Sequence, residues 1–165
     1  MNETIETTVD KLTKQRESLD SIKNAITELP KSRGTSLAFT TLEKGRMYIG
    51  ELALDLGKDF PYEKTKEATT AEGIQDAVDL SSNPLVIGDN EITNLNNLRD
   101  LITTEINTFL ETTMPIKLAG KSIQERFVMN CNISEAYRGL KESRMYLGIR
   151  LGEIRDIAKI IQNGK

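Results

Sequence analysis

Ser36-Leu-Ala-Phe-Thr-Thr-Leu-Glu-Lys-Gly-Arg-Met-Tyr-Ile-Gly50 recurs, without a gap, as Ser134-Glu-Ala-Tyr-Arg-Gly-Leu-Lys-Glu-Ser-Arg-Met-Tyr-Leu-Gly148. Seven of the 15 positions are identical, and Phe39/Tyr137 and Ile49/Leu147 are close in character. In the first copy Ala38, Leu42, Gly45, Ile49, Leu52 and Leu56 follow one another at spacings of 4-3-4-3-4. That period is one face of an α-helix, and Gly57 is placed to end it. Upstream, Ile5, Val9, Leu12, Leu19, Ile22, Ile26 and Leu29 repeat the pattern at 4-3-7-3-4-3. Pro30 stops this run, because the residue before a proline is pushed out of the α region. Two long helices joined by so short a link must lie antiparallel.

The second copy predicts a second hairpin. A third helix is expected from Asp89 or Asn90, with Leu95, Leu98, Ile102, Ile106 and Phe109 on one face, stopping before Pro115. The last helix is expected after Ser134, with Ala136, Leu140, Ser143, Leu147, Leu151, Ile154 and Ile161 facing inward. The fold class is all-α: two tandem antiparallel helical hairpins form a four-helix core. Residues 1–57 are the first hairpin, 58–90 a connector, and 91–165 the second hairpin, in one compact domain. Within the connector, Thr69 and Glu72 form a capping box ahead of Ala71, Ile74, Ala77 and Val78, which predicts one short helix. Pro84-Leu-Val-Ile-Gly88 is the sole candidate strand.

Composition removes much chemistry. The chain has 165 residues, no His and a single Cys, so Ser-His-Asp and Cys-His catalysis, HExxH zinc sites and Cys/His zinc clusters are excluded. With 22 Lys+Arg against 25 Asp+Glu the net charge is -3, which argues against a general binder of polymeric nucleic acid or of anionic membranes. No apolar run approaches the roughly 20 residues needed to span a bilayer. MNETIETTVDKL holds no apolar segment of signal-peptide type, and a cytoplasmic location is the expectation.

Three features lie off the core stripe. At 100° per residue Arg46 sits about 40° from Leu42, on its rim, whereas Met47 and Tyr48 sit at about 140° and 240°. Apolar residues on a second face imply either a second packing interface, hence an oligomer, or contact with a ligand, and Met145 and Tyr146 repeat the choice. Gly45, Gly50, Ser143 and Gly148 are small where helices would cross closely. The loop Lys31-Ser32-Arg33-Gly34-Thr35 precedes a helix start, where free N–H groups and the macrodipole favour anions, and Ser32 or Thr35 can either cap that helix or donate a hydroxyl to a phosphate oxygen. From Lys31 to Gly50 four cations stand against one Glu, net +3, whereas Thr69 to Thr112 holds one Arg and eight acids, net -7. Such local charge suits a small phosphorylated ligand, although a solvated turn has the same composition. Ala119-Gly-Lys-Ser122 looks like half a P-loop, but Pro115 occupies the place of its first Gly and no strand precedes it.

The stretch Lys31 to Gly50 resembles the hairpin signature of the phage anti-defence nucleotide sponges, the anti-CBASS and anti-Thoeris helical-hairpin proteins. The shared residues are Ser32-Arg33, Ser36-Leu37-Ala38, Thr40, Leu42-Glu43, Met47-Tyr48 and Gly50. The chain departs from that signature in having Tyr48 where Trp is usual, Gly34 where an acidic residue is usual, and two hairpins instead of one. Its second copy replaces the cationic loop with Asn130-Cys-Asn-Ile133.

The resemblance implies a small helical homo-oligomer that sequesters a cyclic oligonucleotide or cyclic ADP-ribose messenger without cleaving it, in the host cytoplasm. On that expectation Lys31 and Arg33 hold phosphates, Ser32 and Thr35 donate hydroxyls, and Arg46 reaches in from the stripe. Tyr48 or Tyr146 stacks a base, and Arg144 serves the second copy. No cofactor, no metal and no catalysis are expected: cations and hydroxyls that grip phosphate equally in ground and transition states give affinity without acceleration. The alternative, from a different class, is a helical module that binds a host or virion protein.

Overall fold

The computed structural model describes residues 3–57, 89–114, 116 and 122–164. It contains four α-helices and, among the described residues, no strand: α1 (Glu3–Thr27), α2 (Arg33–Asp55), α3 (Asp89–Thr113) and α4 (Ile123–Asn163). The all-α expectation holds. The predicted connector helix around Thr69 and Glu72 and the candidate strand Pro84–Gly88 lie outside the described residues.

Each end of α2 has a local chemical cause. Ser32 is the N-cap, with extended backbone (φ -151°, ψ 165°), and its Oγ accepts from Thr35 N–H at 3.1 Å. Thr35 Oγ1 in turn accepts from Ser32 N–H at 2.9 Å, so two first-turn donors are satisfied reciprocally. At the far end Gly57 takes φ +99°, where a side chain would be strained, and its N–H reaches Leu54 O at 2.8 Å.

α4 begins earlier than the repeat suggests. It starts at Ile123, not after Ser134, and runs 41 residues, about 61 Å at 1.5 Å per residue. Ser122 and Glu125 form its capping box, at 3.1 Å and 2.7 Å. Ser-x-x-Glu was thus a helix start. The first turns of α4 carry few inward apolar residues, Met129 being buried, so core periodicity alone did not reveal them.

The helices form a ring in which α1 packs on α2 and α3, and α4 packs on α2 and α3, with α1 and α4, and α2 and α3, lying diagonally across the shared core. Neighbours are antiparallel: Gly34 faces Arg150 while Asp55 faces Asn132. The core is the expected stripes, including Leu12, Leu19, Ile22 and Ile26 from α1 and Leu42, Ile49 and Leu52 from α2. Leu95, Ile102 and Phe109 from α3 and Leu140, Leu147 and Ile154 from α4 complete it. Each such burial contributes about 1.5–3 kcal/mol. Ile161, expected on the α4 stripe, is exposed instead, because the helix has by then passed the described ends of α2 and α3.

The most extensive packing is α2 on α4, which sets the two sequence copies directly against each other. Ser143 Oγ donates to Ala38 O at 2.7 Å. At the equivalent position of the other copy, a Cβ on Gly45 would lie 3.1 Å from Ala136 O. The same contact, with the copies exchanged, marks an approximate two-fold between the hairpins. Gly139 lies at the crossing, where a Cβ would come 2.6 Å from Gly45 N. Gly45 and Ser143 are therefore small for the expected reason; Gly148 instead packs under the Arg99 guanidinium.

Candidate functional site

The expected anion loop is the first turn of α2. Arg33 is its first helical residue and is exposed, as is Lys31 before the cap. The amides of Arg33 and Gly34 precede the first residue able to bond within the helix, so they point out of its end with the positive pole of the macrodipole. Ser32 and Thr35 take the capping role: their hydroxyls bond each other (3.1 Å) and the cap backbone, and Thr35 is buried. They shape the turn.

Gly34 presses this turn onto α4. A Cβ there would lie 3.0 Å from Arg150 Cβ and 3.1 Å from Tyr146 O. Lys31, Arg33 and Tyr146 are thereby gathered at one end of the bundle. Arg150, which the sequence reading did not single out, lies beside them. Its Nε donates to Glu91 Oε1 at 2.9 Å and its Nη1 lies 3.6 Å from Glu153. Glu91 is buried and its other carboxylate oxygen, Oε2, has no hydrogen-bond partner. The available signal was Glu91 in the first turn of α3 with Arg150 next to core Leu151, a charged pair that only the folded register brings together.

Arg46 stands apart, 13 residues further along α2 and so about 20 Å from Arg33. Its Nε and Nη2 each lie 2.7 Å from an oxygen of Asp20, a two-point ion pair that clamps α1 to α2. Lys44 crosses to α4, with Nζ 2.9 Å from Glu135 and 5.9 Å from the Tyr48 ring. The hydrogen bond to Glu135 raises the Lys44 pKa, and the same bond lowers that of Glu135. The positive window from Lys31 to Gly50 thus divides into two exposed cations at the helix start and two in ion pairs between helices.

Tyr48 and Tyr146 are half-buried and pack against the core, whereas Met47 and Met145 face outward. Arg144, the equivalent of Arg46, is exposed and makes no ion pair among the described residues. The second copy has no counterpart of the anion turn: Asn130-Cys131-Asn132 lies within continuous α4 helix, where the backbone amides are bonded internally.

Beside Arg46, a groove of about 440 Å³ is lined by Arg16, Glu43, Lys44, Met47 and Gly50, among others. A second, of about 390 Å³, lies between α1 and α3 over Gln15, Ser18 and Glu105, with Lys11 and Lys14 on its lip. Among the described residues no group of three His, Cys, Asp or Glu side chains could hold a metal ion, and no helix is long and apolar enough to cross a membrane. No protein-family model, curated protein or solved structure matches this chain.

Proposed function

We propose that this protein is a non-catalytic sponge for a cyclic nucleotide messenger, of cyclic oligonucleotide or cyclic ADP-ribose type, acting as a homo-oligomer in the host cytoplasm against bacterial anti-phage signalling. The observation that carries the reading is the exposure of Arg33 and Lys31 at the start of α2, beside two outward amides and within the stretch that resembles the sponge signature. Phosphate is the ligand chemistry such a helix start recognises, and Arg33 supplies the charge-assisted bonds. Tyr146, whose backbone carbonyl lies against the Gly34 turn and whose ring is half-buried, is the aromatic side chain proposed to stack a base. Arg46 acts indirectly by fixing α1 to α2 through Asp20.

Capture, not turnover, follows from the kind of groups involved. Cyclic phosphodiester cleavage needs a nucleophile activated by a metal or a general base. Fixed cations and amides hold phosphate alike before and during reaction. Thermal-shift screening against a panel of cyclic nucleotides tests the reading, because a ligand at 100 times its Kd adds about 2.7 kcal/mol of stability. A response to one class, with the ligand recovered intact after heat release, supports the sponge. No response to any nucleotide favours the protein-interaction module.

A further inference from the structure

Arginines stand at equivalent places in the two hairpins, with different surroundings. One constant offset sets Leu12, Leu19 and Ile26 of α1 on Leu95, Ile102 and Phe109 of α3, all six being core residues. The same offset sets Arg16 on Arg99 and Asp20 on Thr103. The sequence repeat sets Arg46 on Arg144, Gly50 on Gly148 and Glu43 on Lys141. In the first hairpin Arg16, Arg46 and Gly50 line one groove, and Asp20 holds Arg46 at two points. In the second, Arg99 lies face-on over Gly148, with Cζ, Nε and Nη2 each 3.5–3.6 Å from where a Cβ would stand. Its Nε is buried without a hydrogen-bond partner, and no carboxylate among the described residues pairs with its guanidinium.

Two exchanges between the copies leave these cations without acids. Thr103 replaces Asp20 and donates its hydroxyl to Arg99 O at 2.8 Å, so Arg144 is exposed and has no ion pair among the described residues. Lys141 replaces Glu43 and stands over the Tyr137 ring, 5.1 Å from its centroid. At 100° per residue Tyr137, Lys141, Arg144 and Gly148 fall within about 60° of α4, on the side that meets Arg99 of α3. Glu142 lies about 120° round the helix from Gly148 and is bonded to Arg138 at 2.8 Å. Asp100 is exposed, about 100° round α3 from Arg99.

We propose that the seam between α3 and α4 at Arg99 and Arg144 binds a small molecule ending in a phosphate monoester or pyrophosphate group. Arg99, Arg144 and Lys141 place three positive charges within two helical turns, about 10 Å. A terminal phosphate brings a charge of about -1.5 to -2, whereas a phosphodiester brings a single one, so the terminal group is the better match. Arg99, flat on Gly148, presents the N–H edge of its fork, which suits two phosphate oxygens at once. A buried donor left unpaired is costly, and a phosphate oxygen supplies the acceptor it lacks. The site is separate from the start of α2: Gly34 there meets Arg150, about 160° round α4 from Gly148. Messenger capture is not required for it.

Calorimetric titration of inorganic pyrophosphate at low ionic strength tests it, using wild type, Arg144→Gln and Thr103→Asp. Thr103→Asp restores the acid of the first hairpin and should tie up Arg144 as Asp20 ties up Arg46. Arg144 is exposed, so Arg144→Gln keeps the test valid if Thr103→Asp disturbs the circular dichroism. Wild type should bind, and each variant should bind at least about tenfold more weakly. The same ratio between wild type and Arg144→Gln should hold when Arg33→Ala is added to both. Dimethyl phosphate, a singly charged diester, should bind wild type at least about tenfold more weakly than pyrophosphate. No binding to wild type, or equal binding to wild type and Arg144→Gln, would overturn the site. A loss seen only on adding Arg33→Ala would move the phosphate to the start of α2, overturning this site and leaving the sponge reading intact. Equal binding of the diester would overturn the preference for a terminal phosphate.

Discussion

Gly139 touches Gly45 backbone to backbone: a Cβ on Gly139 would stand 2.7 Å from the Gly45 α-carbon and 2.8 Å from Thr41 O. No side chain can move aside to relieve that overlap, so the helices themselves must separate. Gly139→Ala should destabilise the fold by about 1–3 kcal/mol, even though alanine is the better helix former by about 1 kcal/mol. Gly45→Ala meets its nearest atoms at 3.1–3.3 Å, one of them a leucine methyl, and should cost much less. Urea unfolding of the two variants side by side measures the difference. Equal, near-neutral midpoints would mean the crossing is looser than described.

Ser143 serves the same crossing from the other copy. Its hydroxyl is buried and donates to Ala38 O at 2.7 Å, on a carbonyl that already belongs to the α2 ladder. Ser143→Ala leaves no donor unsatisfied and should cost about 1 kcal/mol. Ser143→Val inserts a methyl against the α2 backbone and should cost more, by thermal denaturation. A Val variant as stable as Ala would show there is spare room at this contact.

Much of this arrangement was legible before the fold. The 4-3 stripes located all four helices, and the repeat correctly paired α2 with α4 as equivalents. Gly139 escaped because its repeat mate is Thr41: an alignment rewards identity, whereas the crossing needs only one of the two equivalent positions to be bare. The partner of Arg46 was not legible for a related reason. A helical wheel gives its angle on α2 but not its neighbour, and Asp20 comes opposite only in the antiparallel register of α1. Capping and hydroxyl donation by Ser32 and Thr35 both stayed open in the sequence because a Thr at the third position of a capping box is a weaker signal than Glu or Gln.

The Arg46–Asp20 pair predicts a separation of stability from affinity. Arg46→Ala breaks a two-point ion pair in a partly buried setting and should lower stability by about 1 kcal/mol. Its effect on nucleotide affinity should be small beside that of Arg33→Ala. Asp20→Ala should match the stability loss, and the double variant should cost little more than either single one. Additive losses in that cycle would show the two residues act separately.

The link between Lys44 and Glu135 carries a pH signature. The Glu135 pKa is lowered in the folded state, so its contribution is present above the ordinary carboxylate value and fades as pH falls through the folded one. The Lys44 pKa is raised, so its contribution is present below the ordinary lysine value near 10.5 and fades as pH rises through the folded one. Glu135→Gln should therefore be less stable than wild type at neutral pH, and the gap should close in strong acid. Because the pair is solvent-exposed, added salt should shrink the same gap. A gap that persists unchanged at low pH would assign the loss to packing.

Arg33 is where the functional account is most exposed. It is the first residue of α2, its side chain is in solvent, and the cap beneath it is built by Ser32 and Thr35 without it. Arg33→Ala should therefore leave the melting temperature and helicity native. If Arg33 holds a ligand phosphate in a partly desolvated site, the lost contact is worth roughly 2–5 kcal/mol, which is about 30-fold or more in affinity. Arg144→Ala, in the copy without an anion turn, should lose less. The deciding measurement is calorimetric titration of the best-responding cyclic nucleotide into wild type and Arg33→Ala at one salt concentration. The account predicts at least about a 30-fold weaker Kd for the variant with an unchanged melting temperature. Wild-type affinity in Arg33→Ala would contradict it and reduce the start of α2 to a solvated turn.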